Sequence, residues 1–441
     1  MFGSRAPLVC LMALSLPVCS PSQEVLEEWK APDVVVVMID TLRPDHLGFY
    51  GNEVETAPFL AKMAEQSAVF HRAYSTSSWT APAVASVFTG LYPTNHGIIE
   101  GFMAFKRRSQ RGIDTEVLPL NQLPKEVGVM AESFKAAGYQ TFGIATNLNI
   151  GSEIGFDRAF DEWKLFRKDD ARKVGEQIQE WKEKINGEKP SFVYLHFMDP
   201  HMPYNKREPW YEKKKNKLED SAAKYDSEIH FLDQEIEKIL TSFGWDKDGL
   251  LVLVSDHGEE FGDHGGTGHE FQLHSELNRV LFTFRPPGGI ESRNIYTNVS
   301  VVDILPTTLA AAGLIVPPGL DGQSVLSLIQ GQKDAPLAFA NRTLFAHRLR
   351  LVPKPEHLWA AIRGPWKLIL SEDGIELFHH IDDLGESQDL ADENPDVVKR
   401  MLKELREFQE KGFRSVEKKS IAPDASLIKE LEALGYFEEE E

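Results

Sequence analysis

Four short stretches of the chain are apolar at nearly every position: Val34 to Ile39, Phe192 to Phe197, Leu250 to Val254 and Val280 to Phe284. Continuous runs of Val, Leu and Phe predict strands buried on both faces, because a strand with one wet face would alternate. Between these runs apolar residues recur at helical spacing. Phe59, Leu60, Met63, Ala64 and Ala68 follow Thr56 as a cap and Pro58 in the first turn. Val127, Met130 and Phe134 precede Gly138, Val174, Ile178, Trp181 and Ile185 form a third set, and Ile229, Leu232, Ile236 and Ile239 precede Gly244. Strands alternating with helices predict an α/β fold with a large, mostly parallel sheet sandwiched by helices. In such sheets ligands collect beyond the carboxyl ends of the strands, so polar residues that end a strand are the ones to read for chemistry.

Past Gly331 the pattern changes. Short apolar runs from Leu344 to Leu377 are broken by Pro353, Pro355, Gly364, Pro365 and Gly374, and Val397, Met401, Leu405 and Phe408 then recur at helical spacing. This predicts a small C-terminal antiparallel sheet plus helix over residues 340–441, after a larger unit over 33–331. The formal net charge of −20 excludes nucleic-acid binding by bulk charge. The two cysteines, Cys10 and Cys19, lie in the first twenty residues, so no disulfide framework or cysteine metal site is expected in the folded body. Residues 1–20 look like an export signal: Arg5 precedes an apolar run from Ala6 to Val18 that is shorter than the ~20 residues a membrane span needs. Leu16-Pro17-Val18-Cys19 loosely matches a bacterial lipobox, which would make Cys19 a lipidated membrane tether, and cleavage after Ser20 would give a soluble secreted protein. The closing EEEE is expected to be solvated.

The run Val34 to Ile39 delivers Asp40, and Leu250 to Val254 delivers Ser255-Asp256-His257-Gly258-Glu259. Two carboxylates and an imidazole converging at one sheet edge call for a divalent cation. The alternative is that each aspartate merely caps a turn.

A third element is the block Thr80-Ala81-Pro82-Ala83-Val84-Ala85-Ser86-Val87-Phe88-Thr89-Gly90. With it the chain resembles the sulfatases of the alkaline phosphatase superfamily. The resemblance rests on Asp40-Thr41-Leu42-Arg43-Pro44-Asp45, the Thr80 block, His196-Phe197-Met198-Asp199-Pro200-His201, Asp256-His257-Gly258, Asp303-Ile304-Leu305-Pro306, Arg363-Gly364-Pro365-Trp366 and Leu434-Gly435-Tyr436. It implies an ester hydrolase with an alkaline phosphatase or sulfatase-like fold. It also implies metal ligation by Asp40, Thr80, Asp256 and His257, with Thr80 at the nucleophile position. His201 and His269 become catalytic histidines, and Asn147 and Arg43 substrate contacts. His264 and His274 are rivals of His269 in the same stretch.

The departures from that pattern carry as much as the match. Formylglycine formation needs Cys or Ser followed two and four residues later by Pro and Arg, and here the order is Thr80, Pro82, Val84. A threonine hydroxyl must then attack directly, activated by the metal. That chemistry suits phosphorus, because a phospho-threonine can be opened by water, whereas formylglycine sheds sulfate by elimination from a geminal diol. The expected function is therefore hydrolysis of a small anionic phosphoester, whether diester, monoester or phosphonate. The alternatives are a sulfuric ester hydrolase without formylglycine, a phospho-transferase, and a non-catalytic binding protein, for which Val84 is the best argument. Asp199 is followed by His201 at two residues and Pro203 at four, so the ligand set for a second metal is not evident and one Mn²⁺, Zn²⁺ or Ca²⁺ ion is expected. The basic residues Lys206, Arg207 and Lys213 to Lys215 are read either as an anion funnel or as a solvated face.

Overall fold

Strand β1 (Val34–Ile39) is buried at all six positions. In the computed structural model, which describes residues 31–102, 118–167, 169–350 and 355–422, it lies inside an eight-stranded sheet. The other strands are β2 (Ala68–Phe70), β3 (Gln140–Ala145), β4 (Glu162–Leu165), β5 (Ser191–Phe197), β6 (Leu250–Ser255), β7 (Phe282–Arg285) and β8 (Arg293–Ile295). Their order is β8-β2-β7-β6-β1-β5-β3-β4. Strands β6, β1, β5, β3 and β4 are mutually parallel, and β7 runs antiparallel to both β6 and β2. The leader with Cys10 and Cys19, the acidic tail and the Leu434-Gly435-Tyr436 motif lie outside the described residues.

Register decides the chemistry. Ile39 is level with Phe197 on one side and Ser255 on the other, so Asp40 and Asp256 leave the sheet at the same edge. His196, one residue inside β5, pairs with Met38. Alternate residues of the central strands, Val35, Val37, Val193, Leu195, Leu251 and Leu253, share an apolar core with helices on one face. Those helices are α1 (Pro58–Ala64), α3 (Ala171–Glu180) and α4 (Lys217–Phe243), and Val174, Ile178, Ile229, Leu232 and Ile236 meet the sheet. The opposite face packs α2 (Thr80–Thr89), whose Phe88 ring meets Tyr194 of β5 edge-on at 4.8 Å. Every residue of α2 is buried, and Gly90 closes it at φ 67, a left-handed turn that suits glycine.

Three local expectations differ from what is found: Ala68, read with the first helix, begins strand β2 instead. The cap of α1 is not Thr56, whose hydroxyl donates to the His46 carbonyl. The amides of Phe59 and Leu60 instead donate to the Asp233 carboxylate of α4 at 2.9 and 2.8 Å, a cap supplied from across the core. The run at Val280 becomes strand only from Phe282, because the Val280 amide is taken by the Ala73 carbonyl.

The C-terminal part is a four-stranded antiparallel meander: β9 (Leu344–Arg350), β10 (Glu356–Arg363), β11 (Trp366–Leu370) and β12 (Ile375–Phe378). Helix α5 (Pro395–Gln409) lays Met401, Leu405 and Phe408 on Trp359, Leu368 and Leu377. This sheet belongs to the same compact unit as the large one, a unit that begins at Pro32. A buried polar clasp joins the two sheets. Lys367 Nζ donates to Glu386 Oε2 at 2.9 Å with both side chains fully buried, and the Ser275 amide donates to the same carboxylate. His264 donates through Nε2 to the Glu386 carbonyl at 3.0 Å and through Nδ1 to Glu276 at 2.9 Å.

The hydrogen bond to Glu276 is the main reason the His264 pKa rises from 6.5 to about 9. A pKa raised by folding adds stability that is fully present below 6.5 and is lost as pH climbs through about 9. The stability difference between wild type and His264→Gln, measured by urea unfolding, should be largest near pH 6 and should shrink towards pH 10. A difference that stays constant over this range would show that the imidazolium does not hold the clasp.

Candidate active site and metal centre

Asp40 follows β1 and Asp256 follows β6, and both carboxylates are completely buried. Asp256 Oδ1 accepts from the Thr41 amide at 3.2 Å and the His257 amide at 2.8 Å. Asp40 Oδ2 accepts from Asn147 Nδ2 at 2.8 Å. Their remaining oxygens, Asp40 Oδ1 and Asp256 Oδ2, have no hydrogen-bond partner. These two oxygens lie 3.6 and 3.4 Å from His257 Nε2. The His257 Nδ1 proton goes to the Gly258 carbonyl at 2.9 Å, which leaves a lone pair on Nε2. Burial, with Asp256 close by, pushes the Asp40 pKa up to about 6, and burial pushes Asp256 up to about 7. The same burial drives His257 down to about 3. Two acceptor oxygens and an imidazole lone pair that face one another in a dry site repel, and a divalent cation between them removes the conflict. The expected ligands Asp40, Asp256 and His257 therefore fit a cation on charge, tautomer and spacing.

Thr80 is the first residue of α2 and is 2% exposed. Its Oγ1 lies 3.4 Å from His257 Nε2 and accepts from Asn147 Nδ2 at 3.3 Å. The start of a ten-residue helix carries partial positive charge, which favours an anion beside this hydroxyl. Asn147 thus bridges the nucleophile position and a metal-ligand position, a closer involvement than a substrate contact alone.

The turn after Asp40 is strained. Thr41 has φ 58, a left-handed conformation that a β-branched residue resists by about 1–3 kcal/mol. Tyr225 of α4 holds it, donating its hydroxyl to the Thr41 carbonyl at 2.7 Å and accepting from the Arg43 amide at 2.8 Å. Gly258 is required by contact, since a Cβ there would fall 1.9 Å from the Glu276 carbonyl oxygen.

His201 donates through Nδ1 to the Met202 carbonyl at 2.6 Å, and its ring centroid is 4.9 Å from that of His269. The His269 ring is 4.7 Å from His257, and its Nδ1 is 3.0 Å from Glu259 Oε1. Its rivals sit in the clasp. His264, His274 and Glu276 form a second cluster with donor atoms within 4.8 Å, but the two rings stack at 3.8 Å with planes 16° apart. Both His264 nitrogens already donate within the clasp, which leaves this ring no lone pair for an ion.

Arg43 departs from the expected substrate contact. Its guanidinium is bound by Asp45 at 2.7 Å, Asp263 at 2.9 Å and the Glu259 carbonyl at 3.0 Å, and it braces the loop after His257. Arg207 of the basic run is likewise held by Glu228 and Asp170, while Lys213 to Lys215 are exposed. Asp199 receives the Ala171 amide, away from the cluster. Val84, where the arginine of the formylglycine signal would stand, is fully buried in α2.

Sequence reasoning missed two residues. His196 contributes to a group with Asp40 and Asp256 whose donor atoms lie within 4.8 Å of one another. Glu259, fully buried, orients His269. The available signal for His196 was an imidazole inside an otherwise apolar strand run.

The sequence model of the family described as Sulfatase matches residues 32–314. The chain is 22% identical over 380 residues to an ulvan-active sulfatase of Formosa agariphila, covering 74% of this chain and 70% of that protein. It is 23% identical to an arylsulfatase of Clostridium perfringens, with 87% and 96% covered. Among solved structures, a phosphonate monoester hydrolase from Silicibacter pomeroyi superposes with a TM-score of 0.70 at 15% identity, covering 87% of this chain and 96% of that one.

Elemental analysis of the purified protein should find close to one divalent ion per chain, and Asp256→Ala should lose it. Two tightly held ions would overturn the single-metal reading. Chelation should lower the melting temperature, since an ion present at 100 times its dissociation constant adds about 2.7 kcal/mol to folding.

Proposed function

The chain belongs to the sulfatase family, and from that premise we propose that it is a metal-dependent hydrolase of small anionic phosphoesters or phosphonates, with the Thr80 hydroxyl as nucleophile. The observation that carries this reading is the position of Thr80 Oγ1 at a helix start, between His257 Nε2 and Asn147 Nδ2, on a side chain that cannot be oxidised to formylglycine.

Asp40, Asp256 and His257 would hold a divalent cation, which would supply the positive charge that acidifies the Thr80 hydroxyl and offsets charge on the substrate oxygens. Asn147 orients that hydroxyl. The Thr80 proton would pass to solvent once the cation is bound, so that Oγ1 attacks phosphorus as the alkoxide, a P–Oγ bond forms, and the bond to the leaving alcohol breaks. His269, its Nδ1 proton anchored on Glu259, donates a proton to the departing oxygen. His201 then accepts a proton from the water that attacks the phospho-threonine, the P–Oγ bond breaks with Thr80 leaving as the alkoxide, and His201 releases its proton to solvent while His269 takes one back. The same start of α2 that favours an anion holds the non-bridging oxygens.

Export supports an extracytoplasmic substrate. The reading rests on the leader features at residues 1–20, with a periplasmic or cell-surface lipoprotein following from Cys19 lipidation and a secreted enzyme from cleavage after Ser20. No helix among the described residues is long and apolar enough to cross a membrane.

A panel of aryl sulfate, phosphate monoester, phosphate diester and phosphonate substrates with added metal should show fastest turnover on a phosphorus ester. Turnover of the aryl sulfate alone would overturn the substrate class. Thr80→Ala should fold and bind metal yet lose on the order of 10³-fold or more in kcat, while Thr80→Ser keeps partial activity. Wild-type turnover by Thr80→Ala would move the attack to a bound water.

A further inference from the structure

His196 has no role in the reading above, yet its imidazole is completely buried and its Nε2 has no hydrogen-bond partner. The other side of the ring fixes its proton. Thr146 Oγ1 donates its single hydrogen to the His196 carbonyl at 3.1 Å, so at 3.0 Å from Nδ1 it can only accept, and the ring proton sits on Nδ1. A neutral ring held this way points the Nε2 lone pair at Asp40 Oδ2, 3.5 Å away. Two lone pairs facing each other in a dry site repel.

An imidazolium would resolve the conflict only with a charged hydrogen bond of about 2.7–2.9 Å, and the observed separation is longer. It falls instead in the range spanned by two donors of one ion with bonds of about 2.1 Å, ~3.0 Å apart at right angles and ~3.4 Å in a tetrahedron, and a coordination number above four leaves places for Thr80 Oγ1 and substrate. The His257 Nε2 separations of 3.4 and 3.6 Å fall in the same range.

We infer that His196 is a further ligand of the ion held by Asp40, Asp256 and His257, and that the site therefore selects a first-row transition ion over calcium. With two imidazole nitrogens beside two carboxylates, the donor set is borderline rather than hard, and imidazole suits Zn²⁺ while calcium takes an all-oxygen shell. Thr146 is a positioning residue, fixing the tautomer through Nδ1.

The test uses the full chain, stripped with a chelator and titrated calorimetrically with Zn²⁺ and with Ca²⁺, and with Co²⁺ followed by visible absorption. Zn²⁺ should bind at least 100-fold more tightly than Ca²⁺. His196→Asn should lose 100-fold or more in Zn²⁺ affinity, leave the Ca²⁺ affinity within a few-fold, and weaken or shift the Co²⁺ band. Thr146→Val, which keeps the shape, should lose about 10-fold in Zn²⁺ affinity. Wild-type Zn²⁺ affinity and an unchanged Co²⁺ band in His196→Asn would overturn the assignment, as would equal wild-type affinities for Zn²⁺ and Ca²⁺. If circular dichroism shows His196→Asn to be unfolded, Thr146→Val decides alone, and an unaltered Zn²⁺ affinity overturns the inference.

Discussion

Everything in this molecule answers to one electrostatic demand: Asp40 and Asp256 are held side by side without water. Burying even one ionised carboxylate unpaired is very unfavourable, and two together push each other's ionisation further up. The site meets the demand in parts. Backbone amides and Asn147 satisfy one oxygen of each carboxylate, and the remaining oxygens face imidazole lone pairs, which leaves a positive charge to be supplied from outside the chain. The fold without that charge is under tension, and the tension is concentrated where a phosphoryl or sulfuryl group would be attacked.

The sheet is what makes the demand unavoidable. Because β1 is parallel to both β5 and β6 and is level with them residue for residue, the groups that follow each strand must emerge together. Thr41 then turns the chain away in a conformation it resists, and the Tyr225 hydroxyl holds it there from a helix whose Ile229, Leu232 and Ile236 pack into the core. Helix α2 arrives from the opposite face and presents Thr80 at its start. The candidate site groups thus come from strand ends and one helix start, while His201 and His269 are carried by loops outside the sheet.

The central strands were legible because a short apolar run without alternation, bounded by polar residues, suits little except a strand covered on both faces. Asp40, Asp256 and His257 were legible because they stand just after such runs. His196 was not, since a polar residue inside an apolar run reads as a tolerated exception until the register shows what lies beside it. Asp233 as the cap of α1 was equally hidden: a cap taken from another helix leaves no mark within a few residues of the helix it serves. The partners of Arg43 were hidden for a related reason. An arginine beside a metal ligand suggests an anion contact, but which carboxylates reach it first is decided by the loop ending at Asp263. The Lys367–Glu386 pair was invisible because its partners belong to strands and loops that only the tertiary fold brings into contact.

The parallel pairing of β1 has a consequence for how the protein comes into being. Val34 must find both Phe192 and Leu250, so most of the catalytic part of the chain has to be made, and its intervening segments ordered, before the central three strands can close. Contacts so distant in sequence form late and slowly. A nascent chain that has not yet reached His257 carries Asp40 as an ordinary solvated carboxylate and gives an ion nothing to hold. An ion that needs Asp40, Asp256 and His257 together would be captured late in assembly and would latch a completed fold.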